Sequence, residues 1–115
     1  MSKQINLTVD QGTTFSHIFD VLNPDGTPFD LTGFTAYSQM KKSYFTSTFH
    51  NLTVSVEGAA TDGKLKLTIL PSTTDPLRAG LYVYDIEIHS DADPELINRV
   101  AEGTITLSPQ VTRIL

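Results

Sequence analysis

The chain has 115 residues, enough for one domain, and carries 13 acidic against 8 basic side chains for a net charge of −5. That balance disfavours a phosphate-tracking surface, and the absence of Cys excludes disulfides and thiolate metal sites, so neither a nucleic-acid partner nor a cofactor is expected. No basic-then-apolar leader and no apolar run of bilayer length occurs, so neither a secretory signal nor a membrane partner is expected.

Residues 4–9 alternate Ile5, Leu7 and Val9 with Gln4, Asn6 and Thr8 and read as a first strand, broken by Gln11-Gly12. Residues 14–22 form a second, with Phe15, Phe19 and Val21 toward the core. Ile18 and Leu22 fall on its other face, so cover on both sides or a bulge is expected. Asn23-Pro24-Asp25-Gly26-Thr27-Pro28 is a strong turn, because Pro presets φ and Asp-Gly accepts a tight reversal. Residues 29–33 read as an irregular connection. Residues 34–42 form a strand with Phe34, Ala36, Ser38 and Met40 on one face and Thr35, Tyr37, Gln39 and Lys41 on the other. Residues 43–50 extend a hairpin or form a loop. Residues 51–57 point Leu52, Val54 and Val56 inward, and after a turn at 58–63 residues 64–70 alternate Leu65, Leu67 and Ile69 with polar neighbours.

Residues 71–78 have room for one helical turn, with Ser or Thr to cap it and Gly80 to end it. Next comes the most regular strand of the chain. Tyr82, Tyr84, Ile86 and Ile88 share one face and Leu81, Val83, Asp85 and Glu87 the other. Leu77, Gly80 and Tyr82 fit a tyrosine corner, in which a Tyr near a strand start bonds upstream backbone. A polar loop follows at 89–95. The last strand, about 96–107, puts Ala101, Gly103, Ile105 and Leu107 on one face, and Pro109 ends it before a tail at 110–115. Seven short strands with turn signals at regular spacing predict one all-β domain, 1–115: an immunoglobulin-like antiparallel β-sandwich with Greek-key connections.

Sites of chemistry are scarce. His17, His50 and His89 have no ligand spacing. Asp91, Asp93 and Glu95 offer alternate oxygens to Ca²⁺ but lack the remaining parts of an EF-hand loop, and a solvated hairpin loop is the simpler reading. Asp85 and Glu87 stand two apart on an outer strand face with nothing in the sequence to suggest a cleft. No nucleophile elbow, phosphate loop or dinucleotide fingerprint occurs, so no enzyme is expected. Tyr37, Tyr44, Phe45 and Phe49 form the candidate protein interface, since exposed aromatics give large contact area at low entropy cost. Two alternatives stand beside it: the hairpin folds back and buries them, or the rings line a sugar-binding face.

Three stretches carry a resemblance. They are Gln11-Gly12-Thr13-Thr14-Phe15, then Asp25-Gly26-Thr27-Pro28-Phe29-Asp30-Leu31-Thr32-Gly33-Phe34-Thr35-Ala36, and Leu77-x-x-Gly80-x-Tyr82-Val83-Tyr84-Asp85-Ile86-Glu87. With the ending from Arg99 to Arg113, these resemble small virion proteins of tailed bacteriophages, similar to the immunoglobulin-like N-terminal domain of baseplate upper proteins. The likeness covers residues 5–113 and departs from the family at 42–50, which is more aromatic. It implies a structural protein of the tail, baseplate or neck. Such a protein is made in the host cytoplasm and is located in the virion. Its partners are other virion proteins or further copies of itself, and it has no catalytic residue. A carbohydrate- or receptor-binding module is the alternative.

Overall fold

The alternating segments become eight strands among residues 2–112, which the computed structural model describes. They are β1 (Lys3–Gln4), β2 (Leu7–Asp10), β3 (Phe15–Asp20), β4 (Phe34–Lys41), β5 (His50–Val56), β6 (Lys64–Ile69), β7 (Gly80–Ser90) and β8 (Ile97–Ser108). A 3₁₀ turn at Ala60–Asp62 and one helical turn, α1 (Pro71–Thr74), complete the regular structure.

The fold is nearly all β, built as a curled mixed sheet in the order β1-β8-β7-β4-β5-β6-β3, with β2 also beside β8. The curl comes from β5, which changes partners midway. Leu52, Asn51 and His50 pair with Ser38, Gln39 and Met40 of β4, whereas Thr53–Val56 pair with β6. The concave inside of the curl holds one apolar core. Leu65, Leu67, Ile69, Phe19 and Val21 pack there with Ile86, Ile88, Ile105, Leu107, Met40, Val9 and Leu31, all nearly solvent-free.

Several expectations are corrected. The arrangement is not wholly antiparallel, because β1 and β2 run parallel to β8. The first strand breaks at Ile5-Asn6, where the Asn6 side chain enters the ladder and its Oδ1 accepts from the Thr104 amide at 3.1 Å. Val56 is 36% exposed rather than inward. Ile18 is 47% exposed, so β3 is covered on one face only. Leu31, placed in an irregular connection, is a core residue. The helical turn starts after Leu70 with Pro at its first position, and neither Ser nor Thr caps it. Gly80 does not end that turn, which stops at Asp75; it opens β7 instead. A bulge between Ile86 and Glu87 of β7 gives Val100 of β8 no opposite residue, so Val100 and Ala101 are both buried.

Two phenols and one amide tie the ends of this sheet down. Tyr82 Oη donates to the Arg78 carbonyl at 2.6 Å, with Leu77 packed on the core beside it, and Lys42 Nζ stands 4.7 Å over the ring. Tyr84 Oη donates to the Ile5 carbonyl at 2.7 Å, and burial pushes its hydroxyl up to about 12. That carbonyl reaches Tyr84 across Gly103, where any Cβ would overlap the Ile5 oxygen. Gln11, almost fully buried, holds the stretch after α1. Its amide faces the carbonyls of Leu77 at 2.8 Å and of Thr74 and Asp75, both at 3.2 Å. The backbone N–H of Gln110 in turn donates to Gln11 Oε1.

Candidate functional site

The strands that close the core on one side also make a concavity on the other. Outer-face residues of β4 and β7, flanked by β5 and β8, line an open hollow of about 870 Å³. Register places its members. Tyr37 stands opposite Glu87, Gln39 opposite Asp85, and His89 opposite Thr35, which lies outside the lining. On the other flank Asp85 meets Glu102 and Glu87 meets Arg99. The sequence reading found no cleft here, because residues from four strands and the loop after β4 make it, and only the folded register brings them together.

Contacts across the hollow join the charged and aromatic groups. The Tyr37 and His89 rings meet edge-to-face with centroids 4.7 Å apart, and His89 Nε2 lies 3.1 Å from Glu87 Oε1. Arg99 reaches Asp85 at 3.5 Å and Glu102 at 3.8 Å. Gln39 Nε2 donates to Asn51 Oδ1 at 3.0 Å along the floor toward β5. Burial holds the Asp85 carboxyl above its ordinary range, and Glu87 and Glu102 push the same way against the Arg99 guanidinium. Three carboxylates against the Arg99 guanidinium and the Lys41 ammonium leave the hollow with a net negative charge, with aromatic and amide groups between them.

The four aromatic candidates divide. Tyr37 and Tyr44 both line the hollow. Phe45, 98% exposed, and Phe49 lie outside it on the connection between β4 and β5. The expectation that this hairpin folds back to bury its rings fails, since Tyr44 is 69% and Phe49 48% exposed. The three His do not converge: His17 packs on Phe19, His50 on Tyr82 and His89 on Tyr37. Asp91 accepts from Thr35 Oγ1 of β4 at 2.6 Å and Asp93 from the Glu95 backbone amide at 3.0 Å, so these two carboxylates brace the loop. Among the described residues no three His, Asp or Glu side chains group as a metal site. No helix of the described residues is long and apolar enough to cross a membrane.

No protein-family model matches the chain, and no curated protein matches it.

Proposed function

We propose that the chain is a binding module that acts by protein–protein contact, an immunoglobulin-like sandwich serving as a structural component of a phage virion. The curl supports the sandwich reading: β2, β8, β7, β4 and the first half of β5 form one layer, and the second half of β5 with β6 and β3 the other. The observation that carries the binding role is the set of bare rings at one corner. Tyr44, Phe45 and Phe49 project from a connection whose neighbours leave them in water, and Tyr37 continues the set into the hollow. Exposed aromatics in such numbers mark a contact surface. The virion setting rests on the sequence resemblance alone.

The test is Tyr44→Asp with Phe45→Asp, purified beside the wild type and mixed with the products of the neighbouring genes. The wild type co-elutes with one of them, and the double variant, with unchanged circular dichroism, does not. Equal co-elution of the two would refute the assignment. A glycan-binding role is the second reading, favoured by the way Tyr37 and Tyr44 share the hollow with Gln39, Asn51, Asp85 and Glu87. Retention on a glycan array that Tyr37→Ala abolishes would establish it instead.

A further inference from the structure

We propose that β3 is the pairing edge of a symmetric dimer, in which a second copy of the chain adds its own β3 antiparallel across a two-fold axis at Ile18. The sheet has two ends. One is closed off by the short strands β1 and β2, of two and four residues. The other is β3, six residues paired on one side only, to β6. Soluble proteins usually blunt such an edge with charged side chains, Pro or a bulge; β3 has no Pro and no bulge, and its one charged residue, Asp20, stands at its end paired with Lys64.

Parity decides which groups are free. The Val21 amide donates to the Gly63 carbonyl, so the odd residues of β3 bond β6 and the even ones turn away from it. Ser16, Ile18 and Asp20 therefore direct their amides and carbonyls at the open side. Among the described residues no backbone bond outside the β6 ladder reaches any of the three. The middle one, Ile18, also leaves 47% of itself in water.

An added strand must pair even residues with even. One antiparallel register uses all three: Ile18 opposite Ile18 of the second copy, and Ser16 opposite Asp20 at both ends. The Ile side chains cover one another on the outer face. Each Ser hydroxyl stands where it can donate to a carboxylate already held by Lys64 at 2.6 Å. Lys66, opposite Ile18 in β6, is separated from its counterpart by both β3 strands. No like charges meet. On the inner side the half-exposed Phe15 and His17 come against Val21 and Phe19 of the second copy. The sequence of this edge is thus complementary to itself, which is the requirement of a two-fold interface.

The experiment is sedimentation of the full chain from about 1 µM to about 1 mM. The wild type shifts with concentration from 12.6 kDa toward twice that mass. Ile18→Lys sets like charges opposite one another and weakens association on the order of a hundredfold, with circular dichroism unchanged. Tyr44→Asp with Phe45→Asp leaves association as it was. The chain has no Cys, so single thiols report the register. Ile18→Cys brings two Cα atoms to about 5.5 Å, within disulfide range, and cross-links on oxidation. Ser16→Cys leaves them about 14 Å apart and does not. A wild type that remains monomeric at the highest concentration, a dimer indifferent to Ile18→Lys, or equal cross-linking at both positions would overturn the proposal.

Discussion

Replacing Gln11 with Glu keeps the size and shape of the side chain and removes two hydrogens. In the fold that amide faces three carbonyl oxygens, Leu77 at 2.8 Å and Thr74 and Asp75 at 3.2 Å, from a residue 7% exposed. Two hydrogens can serve two of the three at once, Leu77 first by distance. Losing two such bonds removes about 1–3 kcal/mol. An ionised carboxylate in their place is desolvated and turned toward three carbonyl dipoles by their negative ends, which adds more than the ~1–3 kcal/mol of an unpaired neutral group. The expected loss at pH 7 therefore exceeds about 2 kcal/mol, against a typical total of about 5–15.

Burial and those carbonyls raise the folded pKa of the introduced Glu above its unfolded value of about 4.3. A group shifted upward contributes its stability below the unfolded pKa and loses it as pH rises through the folded one. The deficit relative to wild type thus narrows near pH 4, where the protonated acid can donate one bond, and widens toward neutrality. Gln11→Ala, with no titratable group, gives a deficit of about 2 kcal/mol that does not follow pH in this way. Urea unfolding of all three proteins at pH 4 and pH 7 makes the comparison. A Glu variant within about 0.5 kcal/mol of wild type at pH 7, or equally destabilised at both values, would refute the assignment of Gln11 as the clamp on the stretch after α1.

Tyr82→Phe removes the bond to the Arg78 carbonyl and lowers stability by about 1–2 kcal/mol in chemical denaturation, with little change in the far-UV circular dichroism of the folded state. Gly103→Ala forces the Ile5 carbonyl away from β8 and from Tyr84 Oη; it costs about 1–3 kcal/mol, and amide exchange speeds up selectively at β1. Asp85→Asn raises the unfolding midpoint at pH 7, because the folded carboxyl titrates above its unfolded value and its ionisation works against the fold. The gain disappears at pH 3, where the carboxyl is protonated in both states, and a gain that persists there would exclude this cause.

Period-two patterning makes β4, β6 and β7 legible, since each buries one face and the alternation as a whole reports which side is inside, even where Tyr37, Leu81 and Val83 fall on the outer face. Leu65, Leu67 and Ile69 were read correctly for that reason. Val56 was not: alternation gives the side on which a residue falls, but not whether the sheet still has cover at that point. Parallel pairing of β1 and β2 with β8 leaves no local signal, because it depends on where the far end of the chain lies. In the sequence Gln11 only breaks the first strand, and the fold alone shows three carbonyls around its amide. The hollow was hidden in the same way. Glu102 and Arg99 join Asp85 and Glu87 through register with β8, and Tyr37 and Gln39 through register with β4.

The two surfaces are separated by the curl itself. In the strand order β8-β7-β4-β5-β6-β3, the hollow belongs to the first four strands and the free edge to the last. Occupying one therefore leaves the other open. A dimer joined at β3 would present two hollows and two aromatic loops related by the same two-fold axis. Contacts too weak to persist singly would then act at an effective concentration set by the rigid spacing between them. Asp85 fits such a face. The fold keeps an ionisable carboxyl half-buried against Glu87 and Glu102, an arrangement that opposes folding at neutral pH and that core packing does not require. A binding partner bearing Lys or Arg would relieve that repulsion on docking. Association through the hollow would then strengthen as pH rises through the Asp85 titration, opposite in sign to the effect of the same carboxyl on the stability of the free chain.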